Sequence, residues 1–322
     1  MTTTTQTGLV GLLCEVTEEP VTFQECLACA QRGAPGCPMV PAIIHDIASS
    51  IRSPEYANDL AKQAGADVGF SVTELLGCPR QYRLKKQHPY WEKPSSMYRM
   101  TFGSGYHAAL SNYSAGITEE TLTWKFKLLG KSVMLVGTPD LIELKPAGWF
   151  ITDYKVTGNP PFGRKVPICT HCDLEMYKGD DGLTCPNCGA LNPRSSAISR
   201  VYRPAQARSS HVEQVNLYAL LIEKNAVQIA KKHNLAKPVE QTCGGQIAYL
   251  SQKSIVRCDV PIDRTAAMAL LKLRLSKLLS DDLPPILDDA DELWRCDFCA
   301  VRAHCEQLHG GPVGKPAKET SE

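Results

Sequence analysis

Apolar and polar positions alternate strictly over 122–128, where Leu122, Trp124, Phe126 and Leu128 interleave with Thr123, Lys125 and Lys127. A period of two places the apolar set on one face of a half-buried strand. Gly130-Lys131 turns the chain into a second strand over 132–137. Further on, Val212, Val215, Tyr218/Ala219, Ile222 and Ala226 recur at helical spacing and predict a helix over 211–233. Two strands follow at 246–250 and 254–260, then an amphipathic helix at 265–279 that ends at Asp281-Asp282-Leu283-Pro284-Pro285. Upstream, 53–86 reads as helical, with Ser71 as a cap ahead of Glu74, Leu75 and Leu76. Residues 102–110 read as the start of a helix bearing His107. Helices thus flank a group of strands, which predicts an α/β fold.

Between the strand at 132–137 and the helix at 211–233 lies Gly137-Thr138-Pro139-Asp140-Leu141-Ile142-Glu143-Leu144-Lys145-Pro146-Ala147-Gly148-Trp149-Phe150-Ile151-Thr152-Asp153-Tyr154-Lys155. Pro146-Ala147-Gly148 suits a tight turn, because Pro presets φ and Gly tolerates positive φ. Pairing two strands about that turn sets Leu144 opposite Trp149 and Asp140 opposite Asp153. Opposed residues have Cβ atoms roughly 5 Å apart on one face. Lys155, two residues on from Asp153, shares that face. Adjacent carboxylates repel unless a cation sits between them, and hard oxygen ligands favour Mg²⁺ or Mn²⁺. Together with the preceding strands, the hairpin predicts an antiparallel meander.

Composition narrows the class. A chain of 322 residues, 43% hydrophobic and 21% charged, can hold one large or two medium domains. It contains no apolar run of the ~18 residues needed to span a bilayer. The start, Met1-Thr2-Thr3-Thr4-Thr5, lacks a signal-peptide pattern, so no membrane association and a cytoplasmic location are the default, the host cytoplasm if the gene is phage-borne. Net charge is only +1, so phosphate contacts must come from local patches.

Fourteen cysteines change the picture more. Four pairs have C-x2-C spacing, and in a reducing compartment such pairs hold metals rather than form disulfides. Cys169/Cys172 and Cys185/Cys188 interrupt a stretch of more than fifty residues between Lys155 and the next helix. They read as a zinc ribbon inserted at 160–195, in which four thiolates fold a segment too small to bury a core. Cys14, Cys26, Cys29 and Cys37 allow a small zinc module or unligated thiols in a loose arm over 1–50. Cys296, Cys299 and Cys305 need a fourth ligand. Zinc with His304 or His309 satisfies that need, and so does a [4Fe–4S] cluster completed by the distant Cys78. Cys243 and Cys258 read as small buried apolar residues. The polar tail, 311–322, reads as disordered. For phosphate contacts the chain offers Arg80 and Arg83 after Cys78, and Arg194, Arg200, Arg203 and Arg208 after the ribbon.

The order of these pieces resembles the RecB-like branch of the PD-(D/E)xK nuclease superfamily, and most closely its iron–sulfur exonucleases of CRISPR-associated and AddB type. The matching stretches are C-P-R-Q-Y-R-L at Cys78, G-x3-H ending at His107, G-T-P-D-L-I-E around Asp140, D-Y-K at 153–155, Q-x3-Y at Gln214/Tyr218, and the terminal C-x2-C-x5-C. They span 71–305 in the family's order. The resemblance implies a restriction-endonuclease-like mixed sheet flanked by helices over 51–310. It implies a divalent cation at His107, Asp140 and Asp153, with Lys155 supporting the attacking water. It also implies that Gln214 and Tyr218 seat DNA, and that Cys78, Cys296, Cys299 and Cys305 bind one [4Fe–4S] cluster as a staple. The ribbon and the amino-terminal cysteines fall outside that pattern, and both are candidate surfaces for protein partners. The expected activity is metal-dependent DNA hydrolysis, exonucleolytic on single-stranded or frayed DNA. A catalytically idle DNA- or complex-binding protein on the same fold is the alternative.

Overall fold

The computed structural model describes residues 8–50, 55–112, 116–178, 182–193, 200–287 and 292–314. In chain order the elements are β1 (Gly8–Leu13), β2 (Pro20–Val21), α1 (Phe23–Gln31), α2 (Pro41–Ser50), α3 (Tyr56–Gln63), β3 (Val68–Ser71), α4 (Val72–Leu76), α5 (Pro79–Gln87), β4 (Pro89–Glu92), α6 (Pro94–Leu110), β5 (Ile117–Thr118), β6 (Leu122–Leu128), β7 (Lys131–Gly137), β8 (Leu141–Lys145) and β9 (Gly148–Val156). Next come β10 (Arg164–Pro167), β11 (Tyr177–Lys178), β12 (Gly182–Thr184), β13 (Leu191–Pro193), β14 (Arg200–Arg203), α7 (Ser209–Lys224), α8 (Ala226–Lys232), β15 (Thr242–Leu250), β16 (Ile255–Val260), α9 (Arg264–Leu279), a 3₁₀ turn (Leu293–Phe298) and α10 (Arg302–His309). Local chemistry starts many of them. Thr22 and Ser71 close capping boxes with Glu25 and Glu74. Pro79 and Pro94 open α5 and α6, where a missing N–H leaves no bond unmade.

The result is a mixed α/β architecture. The largest sheet has the order β16-β15-β9-β8-β5, with β15 parallel to β9 and the other pairs antiparallel. A second sheet, β3-β7-β6, joins β3 to β7 in parallel. The main core fills the space between these sheets and the helices. It unites Val133 and Leu135 of β7, Ile142 and Ile151 of the hairpin, Ile247 of β15, and Leu271 and Leu275 of α9. Every residue of α7 from Val215 to Ile222 is buried, as suits a helix enclosed on all sides. On the other face of β7, Met134 and Val136 meet Ala57 and Ala61 of α3. A strand covered on both faces explains the unbroken apolar run in β7.

Four sequence expectations need correction. The meander is interrupted, because β7 and β8 belong to different sheets and the chain leaves the ladder at Thr138-Pro139-Asp140, where Pro139 has no N–H to donate. The helix expected over 211–233 is two helices. The Asn225 side chain between them donates to the Leu221 and Thr123 carbonyls, at 2.8 and 2.9 Å. The stretch 53–86 contains a strand, β3, as well as helices. The helix bearing His107 begins eight residues before 102, at Pro94.

Residues 8–50 fold as a layer of their own rather than a loose arm. Strand β1 lies parallel to β4, and Leu12, Ala30, Ile44 and Ile47 pack against Met97 of α6. At the other end Val313, within the segment read as disordered, is buried, and its N–H donates to Glu306 Oε1 at 3.2 Å. Residues 315–322 of that tail lie outside the described residues.

Candidate active site and cysteine centres

The β8–β9 hairpin turns at Pro146-Ala147, and Lys145 pairs with Gly148, Leu144 with Trp149 and Leu141 with Thr152. Gly148 takes φ +131°, and a Cβ there would collide with the Gln241 carbonyl, so the turn requires glycine. The register is the one expected, and one more step brings Asp140 to Asp153. Asp140 Oδ2 accepts the Tyr154 N–H at 2.7 Å. Asp140 Oδ1 lies 2.9 Å from His107 Nδ1, and Lys155 Nζ lies 2.7 Å from Asp153 Oδ2. Four side chains, from the bend before β8, from β9 and from the last turn of α6, therefore meet.

They open onto a cavity of ≈ 690 Å³, also lined by Ser104, Glu119, Gln214 and Tyr218. Glu119 is the residue the sequence reading missed. One ligand atom each from His107, Glu119 and Asp140 lie within 4.8 Å of one another, a set that could hold a metal ion. Asp153 stands behind them, 1% exposed. Burial, opposed by Lys155, raises its carboxyl above the usual carboxylate range, and Asp140 adds to the rise. The hydrogen bond to Asp140 raises the His107 imidazole. Protons and a cation would thus compete for the same groups.

Gln214 and Tyr218 are joined as their spacing suggests, with Gln214 Nε2 donating to Tyr218 Oη at 2.8 Å. Burial pushes the Tyr218 phenol far up, so it stays a neutral hydroxyl at the cavity wall. One turn before Gln214 on α7, His211 Nδ1 lies 2.9 Å from Tyr249 Oη, which also accepts the Arg208 N–H at 3.0 Å. The Tyr249 hydroxyl can donate to Nδ1 when the imidazole is neutral and that nitrogen carries no proton. Burial, aided by Lys155, lowers the His211 imidazole to about 3 from its ordinary 6.5. The unfolded chain then takes up the proton first. Stability from His211 is complete above about pH 6.5 and is lost as pH falls towards 3. Thermal unfolding at pH 7 and pH 5 should show a larger drop for wild type than for His211→Gln.

The basic candidates separate. Arg80 is 8% exposed. Its Nε donates to Cys305 Sγ at 3.1 Å and its Nη1 to the Pro284 carbonyl at 2.9 Å, so it does not present itself to a phosphate. This corrects its place among the substrate contacts. Arg83 lines a different cavity, with Asp67, Lys86 and Asp281. Arg200 and Arg203 are exposed on β14, where Arg203 lies directly opposite Arg164 of β10. Arg194 lies outside the described residues.

The cysteines fall into distinct groups. In the ribbon, Cys172 Sγ is 3.6 Å from Cys169, 3.4 Å from Cys185 and 3.4 Å from Cys188. These separations are close to the roughly 3.8 Å edge of a tetrahedron with 2.3 Å metal–sulfur bonds. The four thiols could hold a metal ion. Cys78, at the N-cap of α5, lines one cavity with Cys296, Cys299 and Cys305. No three of these gather within 4.8 Å as the ribbon thiols do. Cys258 is buried as expected, whereas Cys243 is exposed.

No family model and no curated protein matches the chain. Among solved structures the chain is similar to one titled "Crystal structure of SSO0001", at 14% identity and a TM-score of 0.43, covering 78% of this chain and 93% of that one. A likeness of that strength fixes neither family nor activity. No described helix is long and apolar enough to cross a membrane.

Proposed function

We propose that the chain is a metal-dependent DNA nuclease of PD-(D/E)xK type, acting as an exonuclease on single-stranded or frayed DNA. One observation carries the reading: His107 of α6, Asp140 before β8, and Asp153 and Lys155 of β9 line one cavity. Carboxylates and one imidazole, with donor atoms of His107, Glu119 and Asp140 inside 4.8 Å, fit a hard divalent cation, and the imidazole favours Mn²⁺ over Mg²⁺. When bound, such an ion supplies Lewis acidity to a phosphodiester and lowers the pKa of water. The side chains do the rest. Asp140 orients His107 through their 2.9 Å contact. Lys155 keeps Asp153 ionised against its burial and offers an ammonium where negative charge grows during attack on phosphorus. Gln214 and Tyr218 give the wall hydrogen-bonding groups for a nucleotide.

A [4Fe–4S] cluster at Cys78, Cys296, Cys299 and Cys305, and zinc at Cys169, Cys172, Cys185 and Cys188, complete the reading, with both centres structural. The exposed Arg200 and Arg203 on β14, after the ribbon, are then contacts for the DNA backbone. The test is a time course on oligonucleotides labelled at the 5′ or 3′ end, or blocked at either, with Mg²⁺, Mn²⁺ or EDTA. Stepwise shortening that needs the cation supports the reading. Retarded DNA that is never shortened would place the chain with the idle binding proteins.

A further inference from the structure

We propose that Cys14, Cys26, Cys29 and Cys37 form another thiolate-ligated metal centre, one that braces the amino-terminal layer packed against the helix carrying His107. Three short segments carry the thiols. Cys14 follows β1 directly, beside the pair Leu13–Pro20 that closes the β1–β2 hairpin. Thr22 then caps α1, and Cys26 and Cys29, three residues apart, share a face of that helix. After α1 the chain doubles back through Gly33 and Gly36, both with positive φ. The Ala34 N–H donates to the Cys29 carbonyl at 3.4 Å and the Cys37 N–H to the Ala34 carbonyl at 3.2 Å, which returns Cys37 towards the helix. All four side chains are half-buried.

Two further observations favour a ligand set over idle thiols. The thiols of Cys37, Cys14 and Cys29 lie near enough to Cys26 to act on it electrostatically. Charges on all four together would be unfavourable without a cation, which would displace the protons. Cys14, in turn, has the amides of Thr17 and Val16 directed at its sulfur, helped by the Thr17 hydroxyl. The same cradle, from the second and third residues onward, holds Cys185 in the ribbon (Cys188 and Asn187) and Cys78 (Gln81 and Arg80). Amides pointed at sulfur stabilise a thiolate and offer little to a buried, protonated cysteine. Packing does not account for the set, since only Cys26 touches the local apolar cluster.

That cluster shows what the centre would secure. Leu12, Ile44 and Ile47 of this layer meet Met97 of α6, and α6 ends with His107. Zinc and an iron–sulfur cluster both satisfy four thiolates, so metal analysis must distinguish them.

The experiment uses the full chain purified anaerobically, with metals measured by mass spectrometry. Cys26→Ser/Cys29→Ser should lose either one equivalent of zinc or the iron of one cluster, while Cys185→Ser/Cys188→Ser loses a different equivalent. In wild type, N-ethylmaleimide should label Cys14, Cys26, Cys29 and Cys37 at least about tenfold faster once a chelator is added. Peptide mapping reads this without any variant having to fold. Unchanged metal content in the double variant with fast labelling of native wild type overturns the proposal, and so does a disulfide among these four.

Discussion

Asp140→Asn is expected to abolish cation-dependent DNA hydrolysis, by roughly 10³-fold or more, and to leave the fold intact. The fold is spared for a local reason. Asp140 Oδ2 accepts the Tyr154 N–H at 2.7 Å, and an Asn carbonyl can keep that bond while the charge beside Asp153 disappears. Lys155→Ala should be as inactive but also less stable, because Asp153, 1% exposed, would be left buried without its cation. Breaking a buried pair from one side costs about 3–5 kcal/mol. Asp153→Asn/Lys155→Met removes both charges and should recover most of that stability while remaining inactive. Turnover of end-labelled DNA in Mn²⁺, set beside urea unfolding, separates the two effects. Wild-type turnover by Asp140→Asn would remove this cavity from catalysis.

How much of this was legible in the chain depends on how local its cause was. The hairpin register followed from one turn, because positions opposed across it share a constant sum, and Leu144–Trp149 fixes that sum. Ser71 and Glu74 announce their cap within four residues, and Gln214 meets Tyr218 because helical geometry brings them together. The ribbon thiols likewise close on neighbours nearby in sequence. Other features have distant causes. Glu119 looks no different from Glu120 in the sequence. It is singled out because β5 pairs with β8 and its N–H reaches the Asp140 carbonyl at 3.2 Å. Arg80 looks like a surface cation in a basic run, yet Cys305 and Pro284, more than two hundred residues away, claim its guanidinium. The break at Asn225 depends on Thr123, on another strand. Short-range chemistry is thus visible in the sequence, whereas burial that depends on remote segments is not.

Cys78→Ala is expected to remove the iron together with the brown colour and broad absorbance near ~400 nm of a thiolate-bound cluster. It should also produce the largest loss of stability of any single thiol replacement in this group. Cys78 starts α5 and its partners begin 218 residues later, at Cys296 (296 − 78). Tying points so far apart restricts the unfolded chain by about 5 kcal/mol in the chain-entropy treatment of crosslinks, an upper figure here. The other ties across this junction are a small apolar cluster with Leu84 of α5, Tyr90 of β4 and Val301, and the Arg80 bonds to Cys305 and Pro284. Burial raises the Cys78 and Cys296 thiols and lifts Cys299 to about 11, so without the cluster they hold protons and supply no attraction of their own. Cys258→Ala is the matched comparison. Cys258 is buried in β16 among apolar neighbours and should cost only about 1 kcal/mol with full iron retained. Equal iron and equal urea midpoints in the two variants would show that Cys78 ligates nothing, and wild-type protein carrying zinc alone would exclude the cluster.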